Sequence, residues 1–250
     1  MATTPRFLVT AGNTQEQIDA VRVWSNIFTG NTGLSIARAL AEIGGDVDLL
    51  TSNRQHLAEI GQDWRHASGG RIRADGFTDH ASLRDALAVR MQQQRYDGVF
   101  MSAAVSDYRP AGVFAVVSRQ TQPDGQQVWI VQDVQAPKVK SSHHAIAVLG
   151  QPTEKLVDLF RREWNYKGLL VKFKLEVGID RQELIRLGQA SRIASGADYL
   201  VANTLSMVHG AEAGALLLSD SGAEWVSRST LASRLAQIVK ARVSQTSHAV

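Results

Sequence analysis

A chain of 250 residues, 44% hydrophobic and 20% charged, is long enough to bury a large core in one domain. Its net charge of +3 comes without blocks of Lys or Arg, which favours small anionic ligands over nucleic acid. The chain has no cysteine, which excludes disulfides, thiolate metal sites and cysteine nucleophiles. With no apolar run of membrane-spanning length and no signal-like start, we expect a cytoplasmic protein without a membrane partner.

The first strand and the first helix of the chain enclose a candidate anion site. Residues 7–9 are apolar and predict a short buried strand, which Thr10-Ala11-Gly12 ends. From Thr29 onward apolar residues recur at helical spacing, and Thr29 itself is a suitable N-cap. Because the first N–H groups of a helix lack partners within it, a strand that feeds such a helix predicts anion binding.

Three glycines and a long polar loop surround this unit. Gly12, Gly30 and Gly33 would let a ligand or another segment of backbone approach closely, although glycines at helix starts often serve only packing. The loop of residues 13–28 is much longer than the usual two to six residues of an α/β connection. We therefore expect this loop to be functional.

Strands and helices alternate along most of the chain. This order predicts a doubly wound α/β fold, in which helices cover both faces of a parallel sheet and ligands bind at the carboxyl ends of its strands. A late antiparallel pair and a final helix follow, and the polar tail from Ser244 to Val250 is predicted to fray. The predicted strands are 46–51, 71–74, 97–104, 168–174, 198–202, 215–218 and 224–227, and the predicted helices are 80–93, 152–164 and 181–195, with one more from about Arg54.

A β excursion interrupts this alternation. Residues 113–119 and 127–135 alternate with period two around Pro123-Asp124-Gly125, which predicts a hairpin, and 145–149 adds a further strand. We interpret residues 111–150 as a protruding β-hairpin flap within a single domain that spans 1–250. Because an isolated hairpin is marginally stable, a second subunit is expected to cover the flap.

A nicotinamide-dependent oxidoreductase is the first alternative to weigh for such a fold. Gly12 is not followed by the second and third glycines of a dinucleotide-binding fingerprint. The second strand ends in Thr51-Ser52-Asn53, without an acidic residue to bind a ribose diol. No tyrosine is followed four residues later by a lysine. The sequence therefore disfavours this function.

Several segments in the same order resemble the phosphopantothenate–cysteine ligase family, in its stand-alone form. The resemblance runs from about residue 6 to 240, and its motifs are specific as a set. They are Val-Thr-Ala-Gly with Ser25-Asn26 and Gly30-x-x-Gly33 in residues 8–33, Ser102-Ala-Ala-Val-Ser-Asp-Tyr-Arg-Pro110, Lys138-Val-Lys-Ser-Ser142 with Pro152-Thr-x-Lys155, Phe173-Lys-Leu-Glu176, and Val201-Ala-Asn203.

The resemblance implies a two-step ligation in coenzyme A synthesis. The carboxylate of 4′-phosphopantothenate would attack the α-phosphate of CTP or ATP and release pyrophosphate. The amine of cysteine would then displace the nucleoside monophosphate. Mg²⁺ bridging the phosphates is the usual companion of such a nucleotide, and no side chains are assigned as metal ligands. The family's dimer places part of one flap against the other subunit's site, so a homodimer is expected here.

The resemblance also implies roles for individual residues. The expected catalytic residues are Asn26, which holds the activated acyl group, and Lys138, which meets the triphosphate; a turn asparagine and a solvated lysine are the structural alternatives. Another register of the loop would exchange Lys138 with Lys140. The other expected nucleotide-binding residues are Gly12, Ala103, Ala104, Asp107 and Phe173, and the expected substrate-binding residues are Arg22, Asn26, Gly30, Gly33 and Lys140.

Some of these assignments have competing explanations. Arg22 could pair with Asp19 or Glu16 instead of with substrate. Phe173 could be a core residue, and the two alanines at 103 and 104 could be small for packing alone.

Two adjacent histidines, His143 and His144, suggest a metal site at first sight. Neighbouring residues of an extended chain face opposite ways, so the two rings are not expected to share an ion. We interpret both as structural.

The sequence departs from the family at two places. Fused bacterial members carry two lysines before the Val-Ala-Asn strand that are associated with the CTP phosphates, and Ser191 and Ser195 stand there in this chain. The hairpin before Lys138 is also enlarged. A diverged member that ligates another amine, or an NAD(P)-sensing regulator with this fold, therefore remains an alternative.

Overall fold

The computed structural model describes residues 4–134, 136–208 and 213–247, which form one large sheet, a smaller sheet and flanking helices. In chain order the elements are β1 (Arg6–Ala11), β2 (Gln15–Gln17), β3 (Val23–Ser25), α1 (Asn31–Glu42), β4 (Asp46–Thr51), α2 (Arg54–Ile60), β5 (Trp64–Arg65), β6 (Arg71–Gly76), α3 (His80–Gln93), β7 (Gly98–Met101), β8 (Tyr108–Thr121), β9 (Gln127–Asp133), β10 (Ile146–Pro152), α4 (Leu156–Arg162), β11 (Leu169–Glu176), α5 (Arg181–Ser195), β12 (Tyr199–Thr204), β13 (Gly214–Ser219), β14 (Gly222–Ser227) and α6 (Leu231–Ser247).

The large sheet has the strand order of a doubly wound fold. Six parallel strands lie in the order β6-β4-β1-β7-β11-β12, and short antiparallel strands extend both edges: β5 beside β6, and β13 and β14 beyond β12. From β1 the chain adds β4 and then β6 on one side of that strand. It then returns with β7, which pairs with the other side of β1. The point at which the order reverses therefore lies between β1 and β7, where folds of this class bind their ligands. The predicted fold class is confirmed.

Apolar side chains cover both faces of the sheet. In β1, Phe7 and Val9 pack towards α1 and α6, whereas Leu8 packs towards α3 and α4. Successive residues of a strand point to opposite faces, so strands covered on both sides are continuously apolar. Near the β13 edge of the sheet, Leu184 of α5 packs against β12 and β13. This double cover leaves the strand ends as the place for polar chemistry.

The flap is a three-stranded antiparallel sheet in the order β10-β8-β9. Its hairpin closes at the predicted turn, where Gln122 N–H donates to Gln126 O at 2.8 Å and Gly125 adopts a left-handed φ of 83°. The flap spans 108–152 in place of the predicted 111–150, because Tyr108 already pairs with Pro152. The predicted strand end at Gln135 lies outside the described residues.

Three local predictions were wrong. Thr29 does not cap α1: Gly30 is the N-cap, with φ 82°, and no side chain of the described residues caps the helix. Pro152 ends a strand and does not begin a helix, since it sits on the edge strand β10, where a missing N–H costs no ladder bond. The last helix continues to Ser247, through part of the tail predicted to fray, and residues 248–250 lie outside the described part.

Among the described helices, none is both long and apolar enough to cross a membrane.

Two buried threonines fasten the segment that follows β7. Thr10 and Thr14 are fully buried. The Thr10 hydroxyl oxygen accepts from Ala103 N–H at 3.1 Å, and the Thr14 hydroxyl oxygen accepts from Ser106 N–H at 2.9 Å. The backbone adds bonds from Ala104 N–H to the carbonyl of residue 12 at 2.9 Å and from Thr14 N–H to Ala104 O at 3.2 Å. The carboxyl ends of β1 and β7 are thereby held in one arrangement.

Replacing Thr10 by valine, which has the same shape, removes the partner of Ala103 N–H. We expect Thr10→Val to lower the free energy of unfolding by about 1 kcal/mol, because the hydrogen bond from the half-buried Ala103 N–H is lost. The control is Thr121→Val at the exposed end of β8, where valine suits a strand and a change of about 0.5 kcal/mol or less is expected. Urea denaturation at one protein concentration measures both, and equal stability of the two variants would contradict the role given to Thr10.

Candidate active site

A cavity of about 230 Å³ lies at the carboxyl ends of the strands, beside the reversal point of the sheet. The loop before α1, the segment after β7 and the ends of β11 and β12 form its walls. Lys174 and Arg228 line it; none of the described residues in its wall is acidic, and Glu176 pairs with Lys174 at 2.6 Å. The predicted site residues in its wall are Gly12, Gly30, Ala103, Ala104 and Phe173. Asn203, which ends the Val201-Ala-Asn203 motif, also lines the cavity.

The backbones of Gly12 and Gly30 are in contact at the N-terminus of α1. A Cβ at Gly30 would lie 2.0 Å from Gly12 N, so only glycine fits there. Since Gly30 supplies no side-chain cap, the first N–H groups of α1 remain available to an anion. Gly33 lies beneath this point and not in the cavity wall: its Cβ would meet Ser102 Oγ at 2.6 Å. The structure thus gives Gly33 a packing role, and its contact with substrate stays a prediction.

Asn26 lies beside the cavity, against the segment that follows β7. Its Nδ2 donates to Ala104 O at 3.2 Å, and its own carbonyl accepts from Asn13 Nδ2 at 2.6 Å. Asn13 also donates to Phe28 O at 3.1 Å, which folds the end of the long loop over β1. The carboxamide of Asn26 is exposed and is held within reach of the cavity rim.

Lys138 and Lys140 are exposed on the loop between β9 and β10, outside the cavity wall. Val139 between them is only 2% exposed, and its backbone bonds to the long loop. Arg22 provides one of these bonds, from its Nη2 to Val139 O at 2.6 Å, and its Nη1 lies 3.7 Å from Asp19 Oδ2. The competing explanation for Arg22, an ion pair with Asp19, is therefore present; the role of Arg22 in substrate binding stays a prediction.

Asp107 is exposed after β7 and forms an ion pair with Lys155. It does not line the cavity. The next segment is tied to it, since Thr153 N–H donates to Asp107 O at 2.9 Å and Thr153 Oγ1 donates to Ser106 O at 2.6 Å. Among the described residues, no three His, Asp or Glu side chains converge as a metal site.

Phe173 packs against the core beside α1 and α6, as the core interpretation predicts, and it also lines the cavity. Whether it stacks on a base stays a prediction. Ser191 and Ser195 lie near the carboxyl end of α5 and do not line the cavity. Lys172 Nζ donates to Ser191 Oγ at 3.0 Å, and burial lowers the pKa of Lys172.

A buried histidine, which the sequence interpretation missed, orders the start of α1. His56 is 2% exposed; its Nδ1 lies 3.1 Å from Thr51 Oγ1 and its Nε2 lies 3.0 Å from Asn31 Oδ1. Because Asn31 Oδ1 can only accept, a neutral ring carries its proton on Nε2 and donates to Asn31, and Nδ1 then accepts from the Thr51 hydroxyl. Asn53 Nδ2 in turn donates to Thr29 O at 2.9 Å. No motif signals His56, because nothing in the local pattern distinguishes it from a solvated histidine.

Burial lowers the pKa of His56 below its ordinary value of about 6.5. As the pH falls from 7 to 5, the unfolded chain binds a proton at this histidine before the folded chain does. Protonation therefore favours the unfolded state, and the free energy of unfolding falls. We expect His56→Gln to flatten the fall in unfolding free energy over this range, and His143→Gln, at an exposed histidine, to leave it unchanged. Denaturant unfolding at several pH values measures this, and the same slope for His56→Gln and the wild type would contradict it.

Comparison with known proteins identifies the family. A family model for the DNA/pantothenate metabolism flavoprotein C-terminal domain matches residues 2–244. The coenzyme A biosynthesis bifunctional protein CoaBC of Thermococcus kodakarensis is 28% identical over 233 residues, which are 92% of this chain and 49% of that protein. CoaBC of Mycobacterium bovis is 37% identical over 109 residues, 43% of this chain and 23% of that protein. The chain thus spans less than half the length of these curated relatives.

Solved structures establish the same fold. The DNA/pantothenate metabolism flavoprotein from Streptococcus pneumoniae superposes with a TM-score of 0.76 at 24% identity, over 96% of this chain and all of that one. A Cab2 mutant in complex with phosphopantothenate-cysteine gives 0.66 at 17% identity, over 98% of this chain and 88% of that one. The family predicted from the motifs is confirmed, and the protein belongs to the family of the DNA/pantothenate metabolism flavoprotein C-terminal domain.

Proposed function

We propose that this protein is a phosphopantothenate–cysteine ligase of coenzyme A biosynthesis, with residues 1–250 as one ligase domain. The observation that carries the proposal is the cavity at the strand reversal, with the uncapped end of α1 on one side and Asn26 at its rim. The relatives named for coenzyme A biosynthesis, and the related structure that holds phosphopantothenate-cysteine, support the choice of substrates. Since its substrates include a nucleoside triphosphate, we infer a cytoplasmic location.

The reaction has two displacements. A carboxylate oxygen of 4′-phosphopantothenate attacks the α-phosphorus of the nucleotide, and the bond to pyrophosphate breaks. The amine of cysteine then attacks the acyl carbon, the bond to the nucleoside monophosphate oxygen breaks, and the amine loses a proton. Both steps crowd negative charge, so the protein contributes mainly positioning and fixed positive groups.

Several groups at the cavity suit anionic substrates. The free N–H groups at the start of α1 lie on one side, and Lys174 and Arg228 line the other. Lys138, on the neighbouring loop, is assigned to the triphosphate in this proposal, with Lys140 beside it. Phe173 and the small side chains at 103 and 104 offer an apolar surface to the base.

Asn26 is proposed to hold the acyl group. A carboxamide donates a hydrogen bond to an acyl oxygen without adding charge, which suits an anhydride between a carboxylate and a phosphate. Its bond to Ala104 O, at 3.2 Å, keeps the donor at the rim of the cavity.

Mg²⁺ is proposed as the companion of the nucleotide, with CTP or ATP as the co-substrate. Mg²⁺ can complete its shell largely with phosphate and water oxygens, and because Asp107 is paired with Lys155 outside the cavity wall, we assign no side chain of the described residues as its ligand. When bound, the ion would neutralise part of the phosphate charge.

A homodimer formed through the flap is also part of the proposal. All three strands of the flap carry large apolar side chains that one subunit leaves exposed, and such a surface is typical of a protein–protein contact. A second subunit would cover them and would place one flap near the other site. These exposed residues are Val117, Val128, Trp129, Ile130, Val131, Ile146 and Leu149.

Pyrophosphate release tests the ligase proposal. The purified protein would receive Mg²⁺ and either CTP or ATP, with or without 4′-phosphopantothenate and cysteine. We expect pyrophosphate only when 4′-phosphopantothenate is present, and nucleoside monophosphate only after cysteine is added; the active nucleotide is then identified. No release with either nucleotide would overturn the proposed function.

Two substitutions extend this test to the residues. Asn26→Asp exchanges a donor for a negative charge beside an anionic intermediate, and we expect a loss of turnover of about 10²–10³-fold. Lys138→Ala is expected to raise the KM for the nucleotide more than it lowers kcat, because the lysine binds the triphosphate. Lys167→Ala, at an exposed lysine before β11, is the matched control. Wild-type kinetics for Asn26→Asp would remove Asn26 from the mechanism.

The dimer is tested by placing a charge on the flap. We expect Ile130→Asp to convert the dimer to monomer and to reduce activity, since Ile130 is 51% exposed on the flap surface. Ile193→Asp makes the same change on α5, at a side chain that is 69% exposed, and is expected to change neither property. Light scattering at several concentrations gives the mass. A fully active monomer would contradict the link between assembly and activity.

A further inference from the structure

Lys138 stands on a loop that has little structure of its own. Between β9 and β10 the described residues form neither helix nor strand, and most side chains from Ala136 onward are exposed. A lysine on such a loop loses considerable freedom when it binds a phosphate, which weakens binding unless the loop is fixed beforehand. The loop therefore needs an external attachment.

The attachment is at Val139, whose N–H and C=O groups are both bonded to the long loop. Val139 N–H donates to Asp19 Oδ2 at 3.1 Å, and Arg22 Nη2 donates to Val139 O at 2.6 Å. Close to this contact, Ala20 N–H donates to Pro137 O at 2.9 Å. Three hydrogen bonds thus join two segments that are about 120 residues apart in sequence.

Asp19 is the centre of this contact. Its side chain is 2% exposed, and its Oδ1 accepts from Val21 N–H and Arg22 N–H at 2.9 Å each. The hydrogen bond from Val21 is the largest cause that lowers the pKa of Asp19, and those from Val139 and Arg22 act in the same direction. Carboxylates that accept several backbone N–H groups are firmly held, because each bond to the charged group is stronger than a neutral one.

The long loop is itself anchored to the main fold. Glu16 Oε1 accepts from His80 N–H at 2.9 Å, and Gln15 N–H donates to Thr78 O at 2.8 Å. Both partners adjoin the start of α3. The attachment of Val139 is therefore connected to the main fold through the long loop.

We propose that Asp19 is a positioning residue, which fixes the backbone of Val139 and so sets where Lys138 and Lys140 can reach. Arg22 completes the attachment from the other side of the same residue. The proposal rests on the proposed function in assigning Lys138 to the nucleotide, but the attachment itself does not depend on any reaction.

Trypsin measures the attachment without reference to activity, because it cleaves after Lys138 and after Lys140. Asp19→Asn puts an NH₂ group or a neutral oxygen where the carboxylate accepts. We expect cleavage at these two bonds to accelerate by about 10- to 100-fold, since a charge-assisted bond that restrains the loop is weakened. Lys167, in the exposed connection before β11, is the internal reference and should be cleaved at the wild-type rate.

Two further variants keep this test decisive. Asp180→Asn makes the same exchange at the N-cap of α5, where asparagine also caps well, and should leave every cleavage rate unchanged. Asp19→Glu keeps the carboxylate and should restore part of the protection. If Asp19→Asn accelerates cleavage at Lys167 equally, or at neither loop lysine, the proposal is overturned.

Kinetics separate this proposal from the proposed function. In an active ligase we expect Asp19→Asn to raise the KM for the nucleotide by about tenfold, with a smaller change in kcat and none in the KM for cysteine. Faster cleavage in a protein without ligase activity would uphold the attachment and reject the function. If the wild type is an active ligase and Asp19→Asn is cleaved at the wild-type rate, the function would be upheld and the attachment rejected.

Discussion

The site depends on the reversal of strand order between β1 and β7. After β1 the chain crosses to β4 by α1 on one face of the sheet, and after β7 and the flap it crosses to β11 by α4 on the other face, so a crevice opens where these two connections part. Folds of this class bind ligands at such a crevice because free N–H groups and loop residues meet there. The cavity, Asn26 and the start of α1 all lie at this one place.

Buried polar side chains hold the loops around the crevice. Thr10 and Thr14 bond to the segment after β7, His56 bonds to the start of α1, and Asp19 bonds to the loop of Lys138. A buried donor or acceptor without a partner costs more free energy than an ordinary hydrogen bond contributes. Each of these loops is therefore restrained by the cost of leaving such a group unsatisfied, and does not rely on apolar packing alone.

The sequence predicted those features that local patterns determine. The helices at 80–93 and 181–195 have the predicted bounds, because Asp79 and Asp180 cap them and apolar residues follow at helical spacing. The failure at Thr29 has a tertiary cause, since the N-cap position must be glycine to lie against the backbone of residue 12. His56 escaped notice, and Asp19 was considered only as an ion-pair partner of Arg22, because a polar residue in a loop or on a short helix looks the same whether its partner is solvent or a distant group of the protein.

The length of the loop at 13–28 follows from the same geometry. This loop has to return to α1 while also reaching Thr78 beside α3 and Val139 of the flap, which a connection of a few residues cannot do. Its residues therefore join three parts of the molecule: the crevice, the main sheet and the flap. In a dimer formed through the flap, any shift of the flap would move Val139, and with it Lys138, relative to the crevice. Assembly and the position of a charged group would then be coupled through hydrogen bonds that one subunit already contains.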